Sequence, residues 1–187
     1  MRDIKQSRKT RYTQTALKDS LIELMKKKSI SKITIRELCE VADLNRTTFY
    51  AHYKDQYELL QSIEGETLSW IKETIAGFSG KKDKKDFINN IKNVFEYIFE
   101  NKNHIRELMS EQGDIDFQRD LLSVVYEECA VLLNDMDTEP QKSELYFIFL
   151  VNGSLGLIQH WLKSGLKETA QEMAEIIYNM TNNMWRR

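Results

Sequence analysis

Residues 34–57, TIRELCEVADLNRTTFYAHYKDQY, determine the fold that this sequence predicts. Thr34 and Glu37 have the spacing of a capping box, in which each side chain satisfies the other residue's backbone N–H where a helix begins. Apolar and small residues follow at helical spacing, and a second short helix comes after a tight turn. This arrangement is typical of a helix-turn-helix, whose second helix enters the major groove of DNA.

The turn and the second helix have residues suited to their positions. Asp43 stands at the bend, where a positive φ is needed and Asp tolerates it better than most residues. Asn45 is a strong N-cap for the helix that follows. Within that helix Phe49 and Tyr53 share one face, four residues apart, and Asp55 is placed to cap the next helix. The polar and cationic side chains therefore fall largely on the opposite side.

These motifs resemble the DNA-binding domain of the TetR family of bacterial transcriptional repressors. The resemblance covers about residues 8–63, and TTFYAHY, residues 47–53, is its most specific part. The chain departs from the family pattern at two positions. Asp43 stands where the turn usually has Gly, and Gln56 stands where a Lys usually contacts a phosphate. Lys54 is the candidate for that electrostatic role.

The resemblance and the polar side of the second helix give a set of predicted DNA contacts. Arg46, and by resemblance Arg36, are expected to read bases, because a guanidinium pairs bidentately with a guanine edge. Side chains that contact phosphates instead fix the register without reading sequence. The base-reading group is Arg36, Arg46, Thr47 and Thr48, the phosphate group is Thr34, Tyr50, His52 and Lys54, and Tyr53 completes the predicted set.

Length and composition predict an all-α protein of two domains. The chain has 187 residues, only seven Gly and one Pro, with no strand pattern. We expect a three-helix DNA-binding domain with the helix-turn-helix over residues 1–60, and a helical bundle for ligand binding and dimerisation over residues 61–187. Helical patterns fall at about 10–28, 55–76, 84–101, 103–111, 114–134, 140–164 and 167–185.

The formal charge differs between the two predicted domains. Residues 1–60 contain 13 Lys and Arg against 8 Asp and Glu, a charge of +5, and residues 61–187 contain 14 against 21, a charge of −7. The basic segment with Arg8, Lys9 and Arg11 is expected to be a mobile tail, either an arm that reaches into a minor groove or a solvated terminus. A basic module on an acidic body favours double-stranded DNA as a partner.

Several other classes of protein lack support in the sequence. Cys39 and Cys129 are too few for a disulfide framework, and the three His residues are scattered. No catalytic or metal-binding motif is present, so we expect neither an enzyme nor a cofactor or metal. We find no signal peptide and no membrane-spanning segment, which predicts a cytoplasmic protein without membrane contact.

The segment from Leu145 to Trp161 is apolar on nearly every side, with Gly153 and Gly156 inside it. A helix of this kind must be covered on every side, either by its own chain or by a second copy. The segment and the helix after it are similar to the C-terminal region of one TetR branch, which uses both in a four-helix homodimer interface. The predicted interface residues are Phe149, Asn152, Gly153, Gly156, His160, Met173, Ile177 and Met180.

The middle of the chain is rich in aromatic residues and Met. Such a stripe is either ordinary core or the lining of a pocket, and in the TetR family this region encloses a small-molecule effector. We assign the region without individual ligand contacts. Its markers are Phe95, Phe99, Leu108, Met109, Phe117 and Tyr126.

The predicted function is a homodimeric, ligand-responsive repressor that binds a palindromic operator. The alternative is a coactivator of the same fold that acts through a partner regulator. A helical enzyme is a third option, without a visible catalytic group.

Overall fold

The computed structural model describes residues 8–76, 84–110, 113–133 and 140–185. Every regular element within these ranges is a helix and none is a strand, which confirms the predicted all-α fold. A short 3₁₀ turn, Ile30–Lys32, precedes the second helix. The α-helices are α1 (Arg8–Met25), α2 (Ile35–Ala42), α3 (Arg46–Tyr50), α4 (Gln56–Ala76), α5 (Lys84–Glu100), α6 (Lys102–Leu108), α7 (Ile115–Leu133), α8 (Pro140–Ser164) and α9 (Ala170–Trp185).

The chain divides into two compact units, residues 1–66 and 67–187, and the division falls inside α4. In the first unit α1 packs against α2, and α2 packs against α3. The core of this unit takes fully buried side chains from every helix. They are Leu17 and Leu21 of α1, Leu38 of α2, Phe49 of α3 and Leu59 of α4.

The second unit has its core between α5, α8 and α9. Phe95 of α5 meets Trp161 of α8 edge to face, with 5.2 Å between the ring centroids. Both side chains are almost wholly buried. Arg106 of α6 donates from Nη2 to the carbonyl oxygen of Leu162 at 2.8 Å, which satisfies an otherwise unpaired group near the end of α8.

Local chemistry fixes where α8 ends and α9 begins. Gly165 and Leu166 both have positive φ, and the Leu166 N–H donates back to the carbonyl of Trp161 at 3.0 Å, as in a C-terminal cap. Thr169 and Glu172 then form a second capping box. Hydrogen bonds from the Thr169 backbone and hydroxyl lower the pKa of Glu172. Helix α9 therefore begins three residues later than the sequence pattern predicted.

Helix α8 is less enclosed by its own chain than its apolarity demands. By length and composition its segment Glu144–Ser164 could cross a membrane, although the sequence analysis found no such segment. Only 22% of the residues in the most apolar 18-residue window of that segment are buried within the chain. Burial of apolar side chains is favourable, and the described residues leave part of the apolar surface of this helix uncovered.

Candidate DNA-binding surface

The turn between α2 and α3 has the predicted backbone. Asp43 adopts the left-handed conformation, with φ 53° and ψ 47°. The N–H of Leu44 then donates to the carbonyl oxygen of Cys39 at 2.9 Å, which closes the end of α2. Asp43 thus occupies the strained position where the family usually has Gly, and it is tolerated there because its short side chain suits this region.

Helix α3 is only five residues long, so its neighbours must hold it in place. Asn45 caps it by accepting a hydrogen bond from the Thr48 N–H at 2.7 Å. Phe49 is fully buried and lies 6.0 Å from the ring of Tyr53, measured between centroids. A short helix fixed at its start and along its inner side presents its outer side chains in a defined orientation.

Two of the residues predicted to contact DNA help to hold α3 in place instead. Tyr53 is buried, 5% exposed, and its hydroxyl is enclosed, so the prediction that it touches DNA does not fit the structure. Tyr53 follows Phe49 by one helical turn and packs into the same core. Thr48 is half-buried and its hydroxyl donates to the Asn45 side chain at 3.0 Å, so that hydroxyl is engaged in the cap.

The outer side of α3 is exposed and polar. Arg46 and Thr47 point to solvent, and Tyr50 is 59% exposed with its ring edge to face on Phe49. Within the described ranges the Arg46 guanidinium forms no ion pair. Past the helix His52 is half-buried, beside the ring of Tyr53, and Lys54 is exposed.

The start of α2 is a tightly bonded carboxylate site. The capping box of Thr34 and Glu37 is present in both directions, as predicted. Lys28 Nζ also donates to Glu37 Oε1 at 2.6 Å. The hydrogen bond from Lys28, followed by those from Thr34, lowers the pKa of Glu37 from 4.5 to about 2. Glu37 is therefore charged at any neutral pH and holds the helix start in place.

A groove of about 590 Å³ runs beside these two helices. Its lining has more cationic than anionic side chains, which suits a polyanion. Arg36 contributes from α2 while its Nε donates to Glu40 at 2.8 Å. Lys32, which the sequence analysis had not included, belongs to the same surface. The lining residues are Lys32, Thr34, Ile35, Arg36, Glu37, Arg46 and Tyr50.

The first turn of α4 is capped by a carboxylate. Asp55 accepts hydrogen bonds from the N–H groups of Tyr57 at 3.0 Å and Glu58 at 2.9 Å, as its position predicted. Glu58 in turn accepts from the backbone N–H of Lys54. The residue at the usual phosphate-contacting position, Gln56, is half-buried, which leaves Lys54 as the exposed cation of this turn.

A second surface of different character lies on α8. Phe149 is 66% exposed, and Leu145 and Ile148 beside it are exposed as well. A Cβ added at Gly153 or Gly156 would meet no atom of the described chain within 4 Å. Of the predicted dimer residues, those exposed here are Phe149, Asn152, Gly153, Gly156 and His160 from α8, with Met180 from α9.

Two predicted dimer residues lie elsewhere. Met173 and Ile177 are 4% and 9% exposed, and both belong to the core that α9 forms with α5. The helical spacing of the apolar residues Met173, Ile177 and Met180 predicts an interface. The first two of these residues instead bury their side chains against their own chain, and only Met180 is left outside.

The predicted effector region is not one cluster. Phe95 and Leu108 are fully buried, and Phe117 is 4% exposed. Met109 and Tyr126 are partly buried, and Tyr126 accepts a hydrogen bond from the Asn152 amide at 2.9 Å. Phe99 is 48% exposed and lies under the ammonium of Lys102, so it does not line an enclosed space.

Comparison with known proteins matches the C-terminal region by sequence and nearly the whole chain by fold. The family model for a transcriptional regulator C-terminal region, of the TetR type, matches residues 82–183, more than half of the chain. The chain belongs to the TetR family of transcriptional regulators. The match comes from the C-terminal unit, so it is independent of the motifs in residues 34–57 that first indicated the TetR family. No curated protein sequence matches the chain.

Solved structures of similar proteins share the fold over nearly the whole chain. A TetR transcriptional regulator from Streptococcus agalactiae 2603V is 20% identical, with 93% of this chain and 96% of that chain covered and a TM-score of 0.62. NalD, the secondary repressor of the MexAB-OprM multidrug efflux pump in Pseudomonas aeruginosa, is 15% identical, with 97% and 99% covered and a TM-score of 0.67. The dihydroxyacetone kinase operon activator DhaS is 16% identical, with 92% and 96% covered and a TM-score of 0.59.

Proposed function

We propose that this TetR-family regulator is a homodimeric repressor that binds a palindromic operator and is released from it by a small-molecule effector. It would act in the cytoplasm by binding and not by catalysis. The observation that carries the proposal is the exposed side of α3. Arg46, Thr47 and Tyr50 project from a helix whose other side is anchored by Phe49.

The proposed DNA contacts divide by chemistry. Arg46 has no ion pair among the described residues, so its guanidinium is available to a guanine edge. Arg36 is the second base-reading candidate, and Thr47 supplies a hydroxyl and a methyl group. Phosphate contacts are proposed for Thr34, Tyr50, His52 and Lys54, which fix the register.

The proposed homodimer rests on the apolar face of α8. Phe149 and its exposed neighbours would be covered by the same face of a second copy, in an isologous interface. The open space beside Gly153 and Gly156 would admit a partner backbone. A polar group, Asn152, lies on the same face, which suits a protein interface better than a lipid phase. Two copies would place two recognition helices on one operator.

The proposed effector response follows from population shift. A ligand bound in the second unit favours the conformer to which it binds more tightly. If that conformer spaces the two recognition helices wrongly for the operator, the ligand releases DNA by as much as its differential affinity permits. We propose the interior near Phe117 and Tyr126 as the region of this site, without naming its chemistry.

The alternative is a coactivator that works through a partner regulator. The fold is compatible with it, since DhaS is described as an operon activator. In that case the purified protein alone would bind duplex DNA weakly, with no preferred sequence. The exposed Arg46, which forms no ion pair among the described residues, favours the first proposal because a surface that binds DNA needs cations that are free to pair with it.

The test measures the affinity of the purified protein for the genomic DNA that flanks its own gene, at several salt concentrations. We expect specific affinity that falls steeply with salt, as counterions are released from phosphates. Lys54→Ala should weaken binding to all sequences about equally and reduce the salt slope by roughly one. Equal weak binding to operator and unrelated DNA by the wild-type protein would favour the coactivator.

A further inference from the structure

Arg36 and Glu40 form an ion pair that is arranged against the stability of their own helix. Arg36 is the second residue of α2 and Glu40 is the third from its end. The helix macrodipole favours anions at the start of a helix and cations at its end, so both charges stand at the unfavourable ends. The order, with the cation four residues before the anion, is also the weaker of the two for such pairs.

The pair is exposed as well, which limits what it contributes to the fold. The two side chains are 70% and 61% exposed, and exposed pairs of this kind contribute little to stability. Stability therefore does not account for the pair. The remaining effect of the ion pair is to fix the orientation of the Arg36 side chain.

The contact with Glu40 uses Nε of Arg36 and not the two Nη groups at the end of the guanidinium. The bond joins Nε of Arg36 to Oε1 of Glu40 at 2.8 Å. Within the described ranges no hydrogen bond occupies the two Nη groups. A guanidinium held through Nε retains the planar fork that pairs with two acceptors at once. Arg36 lines the same groove as Arg46 and Tyr50, the residues of the exposed side of α3.

We propose that Glu40 is a specificity-determining positioning residue, which orients the Arg36 fork for one base pair of the operator without touching DNA itself. The inference rests on the proposed function, since it assumes that the groove binds DNA. Glu40 also places a negative charge near a polyanion. Its presence should therefore weaken binding to DNA in general while sharpening the choice of one base.

The two effects have opposite signs and can be separated. Glu40→Ala removes both the negative charge and the acceptor for Arg36 Nε, and it should raise affinity for unrelated DNA because the charge is gone. The same variant should reduce discrimination at one operator position by roughly threefold to tenfold, part of the value of a bidentate pair. The midpoint temperature of unfolding should stay equal or rise, since the pair opposes the dipole. A structural role for Glu40 predicts a fall in that temperature instead.

The experiment selects binding sites from random duplex DNA with five purified proteins. They are the wild type, Glu40→Ala, Arg36→Lys, the double variant and Glu23→Gln. Arg36→Lys keeps the charge and removes the fork. Glu23→Gln removes a carboxylate that is paired with Lys26 on α1, so it controls for net charge. We expect Glu40→Ala and Arg36→Lys to relax the same base pair, and the double variant to relax it no further than Arg36→Lys alone.

Four results would count against the inference or its basis. Unchanged base preference in Glu40→Ala overturns it, and so does a change at a position that Arg36→Lys leaves intact. Failure of the wild type to enrich any sequence overturns the proposed function, and with it the role of Glu40. Glu40→Gln keeps an amide oxygen that can accept a hydrogen bond from Nε of Arg36, so it should retain more of the base preference than Glu40→Ala, and a larger relaxation in Glu40→Gln than in Glu40→Ala would also contradict the proposal.

Discussion

Helices α3 and α8 both present side chains to solvent that their own chain does not need, but the two surfaces are opposite in chemistry. Helix α3 has five residues and an outer side of Arg46, Thr47 and Tyr50. Helix α8 has 25 residues and an outer side with Phe149 two-thirds exposed. The first surface is suited to a polyanion, and the second to an apolar partner.

The contrast extends to how each helix is held. The short α3 depends on a cap at Asn45 and on one buried ring, Phe49, because five residues cannot sustain a helix alone. The long α8 is fixed at its C-terminal end by the buried Trp161, while the surface around Gly153 is open. A variant of α3 should therefore affect DNA recognition alone, and a variant of α8 should affect assembly first.

The largest effect is expected from a charge at the open surface of α8. In Gly153→Glu the carboxylate would be desolvated between two helices of the dimer, where it has no partner. The single chain has room for it, so folding should persist while dimerisation and operator binding at micromolar protein are lost. Sedimentation velocity and circular dichroism measure the two properties. Asn93→Glu, on the exposed side of α5, is the matched control, and an intact Gly153→Glu dimer would show that α8 is not the interface.

The corresponding change on α3 should leave assembly intact. Arg46→Ala should weaken operator binding by about 1–3 kcal/mol and relax preference at one base position, because a bidentate contact is lost. Competition binding with single-base operator variants measures this, and sedimentation should still report a dimer. Arg119→Ala, an exposed cation of α7, serves as the control. An equal loss of operator affinity in both variants would mean that Arg46 contributes only its positive charge and does not read a base.

A third prediction concerns the pH dependence of the start of α2. The pKa of Glu37 is about 2 in the folded chain against an ordinary 4.5, so the folded state favours the carboxylate. This contribution to stability is complete above about pH 4.5 and is lost as the pH falls toward 2. Denaturant unfolding of wild type and Glu37→Gln across pH 2–7 should show the difference between them shrinking over that window. A constant difference would mean that Glu37 stabilises α2 by some means other than its charge.

The smallest effect separates two glycines in helices. Gly65 in α4 and Gly153 in α8 both have open space where a Cβ would lie. Gly65→Ala should raise the free energy of unfolding by about 0.5–1 kcal/mol, because Ala loses less backbone entropy in a helix. Gly153→Ala should not show this gain in the dimer, where a partner backbone approaches. Equal gains at both positions would argue against close helix packing at Gly153.

Local signals in the sequence predicted much of this structure. The capping box at Thr34, the left-handed Asp43 and the cap at Asn45 were all confirmed, because each depends only on residues within four positions. The all-α fold was confirmed as well. The capping box at Thr169 obeys the same pattern, and attention to it would have placed the start of α9 correctly.

Side-chain environments were less predictable, because they depend on which neighbour covers a face. Tyr53 was included among DNA contacts but is buried with Phe49, and the Thr48 hydroxyl is engaged by Asn45. Met173 and Ile177 have the spacing of an interface stripe, yet their own chain covers them. Helical periodicity identifies an apolar face and does not say which chain packs against it.

Hydroxyl-radical footprinting of the wild-type protein on its selected DNA tests the central claim most directly. The account predicts two protected segments related by a dyad, with centres about 10–10.5 base pairs or a whole multiple of that spacing apart, as two recognition helices on successive major grooves require. Arg46→Ala should weaken the protection of both segments to the same extent. A single protected segment, or protection without a preferred position, would contradict a dimer that reads DNA through α3.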